Sequence, residues 1–320
     1  MDPDFDDVRD LTGASRIVGS EHVRTLWGGY GSILRLALEG SDHGSVIVKR
    51  VRPPSRVDES EARSHARKLR SYEVEAAWYR TFASRCDESC RVPRPIGIRS
   101  KGHDRLFVLE DLDAAGFAGR PRTLDARRIE ACLAWLASFH VHFLGERPDG
   151  LWSSGTYWHL ATRPDELRAI ADPRLRDAAP VWDRALREAR FRTFVHGDAK
   201  PDNFCFDRTG SRVAAVDFQY VGGGVGVQDV AYLAACLEPT RRETMDRVVD
   251  AYFALLRDGI TRHREDVDVD AIEKEWRALF PVAHADFHRF LAGWAPGEWH
   301  RDTFARAFVD ATLSTLETSR

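Results

Sequence analysis

The sequence lacks the features that mark several large classes of protein. Its formal net charge is −3 over 320 residues, so it has none of the basic excess of a dedicated nucleic-acid surface. No apolar run approaches the roughly 20 residues that a membrane-spanning helix needs. The acidic first residues lack the basic and then apolar pattern of a secretory signal. We therefore expect no nucleic-acid partner and no membrane span.

The sequence is also poor in cysteine. Of its five cysteines, Cys86 and Cys90 lie close together, but no second pair follows as it would in a zinc site. An odd number of cysteines without a secretory signal predicts reduced thiols. We expect a cytoplasmic protein.

What is present is a folded composition whose pattern changes along the chain. Apolar residues make up 43% and charged residues 30%, and only the acidic start MDPDFDD has the composition of a disordered segment. Short alternating strands separated by glycine dominate the first third, with a long amphipathic helix at ESEARSHARKLRSYEVEAAWYRTFAS. Helical periodicity dominates after LEDLDAAGF, with Asp125 as a cap and breaks at LRDG and LAGWAPGEW. The pattern predicts an α+β fold with a small β-rich lobe and a larger helical lobe, joined by a hinge near Leu109 to Asp113.

Two stretches concentrate polar groups that suit chemistry: HGDAKPDN at 196–203, and VDFQ at 216–219 just after a short apolar stretch. Taken alone, the first stretch could be a hydrophilic hairpin turn. With the second stretch at this distance, the two resemble the catalytic loop and the metal-binding Asp of protein-kinase-like phosphotransferases. The His-Gly-Asp start is typical of the aminoglycoside phosphotransferase and choline kinase superfamily. Its ecdysteroid kinase-like branch has sequences similar to the stretches RSYEVEAAWYRTFA, LEDLDAAGF and VDFQ.

The resemblance implies a bilobal protein-kinase-like fold with an antiparallel sheet in the N-terminal lobe. Residues 1–111 would form the nucleotide-binding lobe, and residues 112–320 the catalytic and substrate-binding lobe. It also implies ATP-dependent, Mg²⁺-assisted phosphorylation of a hydroxyl on a small molecule. Such a reaction needs phosphates held in place, magnesium to offset their charge and a carboxylate to orient the attacking hydroxyl.

The resemblance assigns the catalytic loop residue by residue. Asp198 matches the carboxylate that accepts the proton of the hydroxyl, and Asn203 and Asp217 match the oxygen ligands of Mg²⁺. Lys200 could stabilise charge on the transferring phosphoryl group, or it could simply face solvent. His196 would brace the loop, as would Asp229 from the following helix.

The nucleotide-binding residues lie upstream in the family's order. Lys49 would contact the α and β phosphates, aimed by Glu75, with Glu73 as the alternative partner. In WGGYGS, Gly29, Gly31 and Ser32 would approach the phosphates, although Leu34 stands where a third glycine is usual and a plain hairpin turn is the alternative. The main-chain groups of Glu110 and Leu112 would bind adenine. No GxxxxGK[ST] motif is present, which argues against a P-loop protein.

Two other functions stay open: a nucleotide-binding pseudokinase and a protein kinase. The intact set of Lys49, Asp198, Asn203 and Asp217 argues against the first. The glycine run GGGVG at 222–226, in place of an activation segment, and the absence of an APE-like motif argue against the second.

The acceptor and the oligomeric state cannot be read from the sequence. Aromatic residues in two segments could contact a ring-bearing alcohol, or could equally be ordinary core residues. An aminoglycoside would call for a strongly acidic pocket, whereas the acidic run at 265–275 suits a solvated face. The candidate residues are Trp152, Tyr157, Trp158, His159, Asp286, His288, Trp294 and Trp299.

Overall fold

The computed structural model describes residues 3–237 and 241–317. They fold into an α+β structure with one five-stranded antiparallel sheet and two small two-stranded sheets, which confirms the predicted fold class. The helices are α1 (Pro3–Thr12), α2 (Ala62–Thr81), α3 (Ala126–His142), α4 (Pro164–Ala169), α5 (Pro173–Arg187), α6 (Val227–Ala235), α7 (Arg242–His263), α8 (Val269–Trp294), α9 (Pro296–Arg301) and α10 (Thr303–Glu317). The strands are β1 (Arg16–Thr25), β2 (Gly31–Glu39), β3 (Ser45–Val51), β4 (Pro95–Lys101), β5 (Asp104–Glu110), β6 (Thr193–Val195), β7 (Phe204–Phe206), β8 (Val213–Ala215) and β9 (Gly222–Gly224).

The chain divides into two compact units. The first contains residues 1–120 and returns for 205–219, and the second contains residues 121–204 and 220–320. The assignment of nucleotide binding to residues 1–111 and of catalysis to residues 112–320 stays a prediction.

The first unit is built on the large sheet, whose strand order is β1-β2-β3-β5-β4. Alternating apolar residues of these strands, among them Leu36, Val46 and Val48, are fully buried on one face, as the period of two predicts. On the central strand β3, Lys49 pairs in register with Ile33 of β2 and Phe107 of β5. This central position fixes the Lys49 backbone on both sides.

The acidic start of the chain is helical from Pro3 onward, which corrects the expectation of a disordered segment there. Residues from Pro3 form α1, where Phe5, Val8 and Leu11 pack into the core of the sheet. Asp4 pairs with Arg50 at 3.0 Å and with Arg52 at 2.5 Å. The apolar spacing of three along an acidic stretch was the signal, because it gives one helix face to bury.

The second unit is mainly helical and carries the paired strands β6 and β9. α3 begins at the predicted cap, since the Asp125 carboxylate accepts a hydrogen bond from the Arg128 N–H at 2.9 Å. The predicted break at LAGWAPGEW is present, because α8 ends at Trp294 and α9 begins at Pro296. The break predicted at LRDG is wrong, since α7 continues through Gly259. A Cβ there would lie 3.2 Å from the Val141 side chain, so glycine allows α7 to pack closely on α3.

The glycine run at 222–226 is partly a strand. β9 pairs with β6 in the register Thr193 to Gly224, and the Trp152 backbone approaches it so closely that a Cβ on Gly222 would lie 2.2 Å from the Trp152 carbonyl oxygen. The glycines therefore allow close packing of the backbone.

Within the described residues, no helix combines the length and the apolar character that crossing a membrane requires.

Candidate active site

Lys49 of β3 is buried and paired with two carboxylates. Its Nζ lies 2.7 Å from Oε2 and 2.9 Å from Oε1 of Glu75 on α2, and 3.2 Å from Oδ1 of Asp217. The structure selects Glu75 as the partner over Glu73, which lies 3.4 Å from Arg70 on the surface of the same helix. Because its backbone is part of a strand and its ammonium group lies between carboxylates, the Lys49 side chain is held in one orientation.

The pKa values of this cluster reflect burial and charge together. Desolvation alone would lower the pKa of Lys49, but the charges of Asp217 and Glu75 outweigh it and raise that pKa above its ordinary value. Burial raises the pKa of Glu75 to about 7, and the charge of Asp217 adds to this rise while Lys49 opposes it. Two carboxylates therefore share one ammonium group.

Asp217 follows β8 in a conformation that is uncommon for a residue with a side chain. Its φ is +70°, in the left-handed region that costs about 1 kcal/mol or more for a residue other than glycine. Two contacts hold it there. The Gln219 amide donates to Asp217 Oδ1 at 2.6 Å and lies 3.1 Å from the Ser71 hydroxyl of α2. Phe218, between Asp217 and Gln219 in sequence, is fully buried. Its ring stacks on that of Trp78 with the two centroids 4.6 Å apart.

The glycine turn between β1 and β2 is tight. Gly29 has φ +75° with open space around its missing side chain, and Gly31 has φ +141°. A Cβ on Gly31 would lie 1.9 Å from the Arg50 carbonyl oxygen, so this position requires glycine for the hairpin itself. Ser32 lies in β2, in register with Thr25 and Arg50. The turn thus has the backbone exposure that phosphate binding needs, while Gly31 is already explained by the hairpin.

The predicted hinge is anchored by side chains as well as by backbone. The Glu110 N–H donates to the Arg94 carbonyl, and the Leu112 carbonyl accepts from the Phe117 N–H. The Glu110 carboxylate receives Arg91 Nη2 at 2.5 and 2.7 Å.

In the second unit, the loop at 196–203 is held from within by Asp198 and Asn203. The Asn203 amide nitrogen donates to the Asp198 carbonyl at 2.7 Å and to Asp198 Oδ2 at 3.0 Å. Lys200 Nζ donates to the same Oδ2 at 3.1 Å, so Lys200 neutralises the carboxylate as well as reaching solvent. Because the amide nitrogen of Asn203 faces Asp198, its amide oxygen is the group that can bind a cation.

Asp229 of α6 braces this loop, as the sequence predicted. It accepts hydrogen bonds from the backbone N–H groups of His196 at 2.6 Å and Gly197 at 2.9 Å. His140 of α3 lies with Nε2 3.1 Å from Asp229 Oδ2 and with Nδ1 2.8 Å from the Tyr252 hydroxyl of α7. All these side chains are fully buried. Three helices thus fix the backbone that carries Asp198.

The aromatic segments divide between this loop and the core. The Tyr157 N–H donates to the Gly197 carbonyl at 3.0 Å, and the Tyr157 ring lies 5.5 Å from that of Tyr232. Burial, and with it the charge of Asp198, raises the pKa of Tyr232. The pKa of Tyr157 is raised by burial first and by Asp198 less strongly. Tyr232 was missed in the sequence because a tyrosine in an apolar helix indicates only core.

The other candidates lie in the core of the second unit or on its surface. Trp158 is fully buried and donates to Asp286 at 3.1 Å, and Asp286 pairs with the buried Arg289 at 2.7 Å. His288 is buried and stacks on His284 at 4.1 Å. Trp294 is exposed, and His159 lies 3.3 Å from Asp183.

The oxygen donors of the two loops match the preference of Mg²⁺. An amide oxygen at Asn203 and a carboxylate at Asp217 are hard ligands, and Mg²⁺ in nucleotide sites uses one or two protein carboxylates together with phosphates and water. The described residues contain no group of three or more His, Cys, Asp or Glu side chains that could hold a metal ion. Each of these two oxygens is of the kind that Mg²⁺ binds.

Comparison with known proteins identifies a family for this chain. The model of a phosphotransferase enzyme family, APH, matches residues 23–266, more than half of the chain. A search of curated proteins finds no match.

Among solved structures, a macrolide 2'-phosphotransferase from Brachybacterium faecium is similar with a TM-score of 0.50 and 14% identity, covering 95% of this chain and 96% of that one. An aminoglycoside phosphotransferase from Streptomyces rimosus in complex with ADP and streptomycin has a TM-score of 0.47 and 17% identity, with 88% and 99% covered. A choline kinase from Streptococcus pneumoniae has a TM-score of 0.48 and 12% identity, with 98% and 97% covered. At these identities the likeness concerns the fold, and the first of the three carries it.

Proposed function

The chain belongs to the phosphotransferase enzyme family, and we propose that it transfers the γ-phosphoryl group of ATP to a hydroxyl of a small molecule. Asp198 is the general base in this proposal. The observation that carries it is the Asp198 carboxylate, held by Asn203 and Lys200 on a loop whose backbone is fixed by a buried aspartate.

The role of Asp198 follows from what phosphoryl transfer asks of a protein. The reaction needs a hydroxyl placed in line with the phosphorus and a carboxylate to orient it and take its proton. Asn203 and Lys200 both donate to Oδ2 and thereby set the direction of the carboxylate. Lys200 also brings a positive charge that would stabilise charge developing on the transferred group.

We assign nucleotide binding to the first unit. Lys49 would contact the α and β phosphates, because its ammonium is fully charged and aimed by Glu75. The turn with Gly29, Gly31 and Ser32 would cover the phosphates with backbone N–H groups. The Glu110 carbonyl and the Leu112 N–H would bind the base.

Asn203 and Asp217 would hold Mg²⁺ through their oxygens. When bound, the ion offsets the charge of the phosphates during transfer. The contribution of the chain is to hold these oxygens in place: Asn203 by its bonds to Asp198, and Asp217 by the Gln219 amide.

We place the acceptor beside Asp198 at Tyr157 and Tyr232. The family resemblance supports a small molecule, as does the name of the similar structure, a macrolide 2'-phosphotransferase. The acidic run at 265–275 makes contacts within the fold and does not form an acidic pocket for a cationic acceptor. Its Asp268 caps α8, Asp270 and Glu273 lie 2.8 Å from Arg257, and Glu275 accepts two backbone N–H groups. Aromatic rings near Asp198 favour a ring-bearing alcohol.

The substitution Asp198→Asn tests this function. We expect kcat to fall by about 10²–10⁴-fold, while ATP affinity measured by calorimetry stays close to that of the wild type. Activity would be measured as ADP release and as product mass with a panel of sugar, aminoglycoside, macrolide, choline and sterol alcohols.

Asp202→Asn is the matched control. Asp202 lies four positions away in the same loop and is exposed, so its loss should leave kcat within a factor of about two, as expected for a surface change. Equal turnover by Asp198→Asn and the wild type would refute Asp198 as the base. ATP binding without turnover on any acceptor in the wild type would favour a nucleotide-binding pseudokinase.

A further inference from the structure

Lys68 of α2 places its ammonium group on the glycine turn between β1 and β2. Its Nζ lies 4.4 Å from the centroid of the Tyr30 ring. A Cβ on Gly28 would lie 2.7 Å from the same nitrogen, so the ammonium group occupies the space that a side chain at position 28 would need. Gly28 also has φ +68°, a conformation that glycine adopts without steric cost. The lysine and the turn are therefore in direct contact.

The charge of Lys68 is not offset by a partner. Among the residues that the structure describes, its side chain makes neither a hydrogen bond nor an ion pair, and it is only partly exposed. Partial burial, and after it the positive charge of Arg67, lowers the pKa of Lys68, and the charge of Glu61 opposes this only in part. A cation that has lost part of its water without gaining a carboxylate is stabilised when a ligand brings an anion.

Helix α2 aligns Lys68 with the residues around Lys49. Tyr72 and Glu75 follow Lys68 by four and seven positions, a spacing that places them on one face of a helix. The rings of Tyr72 and Tyr30 stack with their centroids 6.4 Å apart. Lys49 Nζ lies 5.7 Å from the centroid of the Tyr72 ring. One ammonium group thus lies at each ring of the stacked pair.

The two lysines differ in what they can offer to an anion. Lys49 carries one positive charge and contacts two carboxylates, those of Glu75 and Asp217, so that cluster has no excess of positive charge. Lys68 has no such partner and lies at the turn whose backbone is proposed to cover phosphates. An ammonium group binds phosphate as a point charge.

We propose that Lys68 is a second phosphate-binding residue of the first unit and contacts the phosphate chain of the nucleotide at the glycine turn. The inference rests on the proposed function, since it extends the assignment of nucleotide binding to this unit. The turn does not need the charge for its own position. The Tyr30 hydroxyl lies 2.6 Å from Nδ1 of His65, which already fixes Tyr30 on α2.

The substitution Lys68→Met removes the charge and keeps a long side chain over the Tyr30 ring. Calorimetry in the presence of Mg²⁺ would give the Kd of ATP and of adenosine for the variant and the wild type. We expect the Kd of ATP to rise by about tenfold, as the loss of one charge-assisted hydrogen bond predicts. The Kd of adenosine should not change, because adenosine carries no phosphate.

Two further variants make the comparison specific. Lys68→Arg keeps the positive charge, so its Kd for ATP should stay within about threefold of the wild type. Lys101→Met is the matched control, because Lys101 is an exposed lysine at the end of β4 in the same unit. It should bind ATP and adenosine as the wild type does. Thermal unfolding without ligand would verify that each variant is folded.

Unchanged ATP affinity in Lys68→Met would overturn the proposal. An equal loss of affinity for ATP and adenosine would also overturn it, because it would assign Lys68 to the structure of the turn. Failure of the proposed function would look different: the wild type would bind ATP with the same dependence on Lys68 but would phosphorylate no acceptor. A wild type that binds no ATP would refute both.

Discussion

Lys49 lies between two carboxylates that compete for its charge, and this competition predicts a pH dependence. Burial raises the pKa of Glu75 from its ordinary 4.5 to about 7. As the pH falls through about 7, Glu75 gains a proton, and the charge that orients Lys49 is lost. We therefore expect ATP affinity, measured by calorimetry at a series of pH values, to fall as the pH is lowered through this range. Glu75→Gln should bind ATP weakly at every pH and show no such step.

Glu73→Gln is the control for this residue, because Glu73 is half-exposed on the same helix and pairs with Arg70. It should keep the pH step in ATP affinity.

The stability of the fold should respond to pH in the opposite sense. Because the folded-state pKa of Glu75 is raised, its contribution to the free energy of unfolding is fully present below 4.5 and is lost as the pH rises through about 7. A step in ATP affinity that persists in Glu75→Gln would assign it to another group.

Residues whose role depends on close neighbours in sequence were the most predictable. The choice of Glu75 over Glu73 followed from helical periodicity, which places Glu75 with Tyr72 and Tyr79 on the buried face of α2. The left-handed φ of Asp217 and the hydrogen bond from Gln219 were not predictable. The contact of Gln219 has no local signature, since its partner Ser71 is remote in sequence.

At the scale of elements, helices α3, α6 and α7 of the second unit surround Asp229 and together hold the loop at 196–203. We call this arrangement the brace. Replacing Asp229 by Ala leaves the N–H groups of His196 and Gly197 and the ring of His140 without their acceptor in a fully buried place. Buried donors without a partner cost about 1–3 kcal/mol each. We expect the free energy of unfolding, measured in urea, to fall by about 3–5 kcal/mol, and kcat to fall with it.

Asp177→Ala supplies the comparison at this scale, because Asp177 is an exposed aspartate within helix α5. Its effect on the free energy of unfolding should stay within about 0.5 kcal/mol. If Asp229→Ala were no more destabilising than Asp177→Ala, the brace would not contribute to the fold.

Strands and helices were predicted well where apolar residues recur regularly on one face. They were predicted less well where packing against a neighbouring element outweighs the local composition. The strands β2 to β5 and the helices α2 and α3 were anticipated from the sequence pattern, whereas β1 was anticipated only at its end. α1 was missed because its acidic composition hid the spacing of Phe5, Val8 and Leu11, and α7 was interrupted at Gly259 because glycine reads as a break. In both cases packing against a neighbour decided the outcome.

For the whole molecule, ligand binding should appear as stabilisation. A ligand that binds only the folded state raises the free energy of unfolding by about 2.7 kcal/mol at a concentration of 100 times its Kd. We expect ATP with Mg²⁺ to raise the apparent Tm in a thermal-shift series, and ATP alone to raise it less. In Asp217→Asn the increment due to Mg²⁺ should disappear, because a carboxylate ligand is lost.

Asp42→Asn is the control, since Asp42 is exposed in the turn after β2 of the same unit. It should behave as the wild type. A Mg²⁺ increment of full size in Asp217→Asn would exclude Asp217 as a ligand of the ion.

The sequence by itself determined which chemical groups this protein carries and in which order: Lys49, Glu75, Asp198, Asn203 and Asp217, together with the strand and helix patterns that surround them. These follow from motifs and short-range periodicity, which the chain states locally. Only the tertiary structure decided how the groups are held. It placed Lys49 between Glu75 and Asp217, and His140 against Asp229. The physical reason is that such contacts depend on how elements far apart in sequence pack, or on the exact path of an irregular loop, and neither leaves a periodic trace in the sequence.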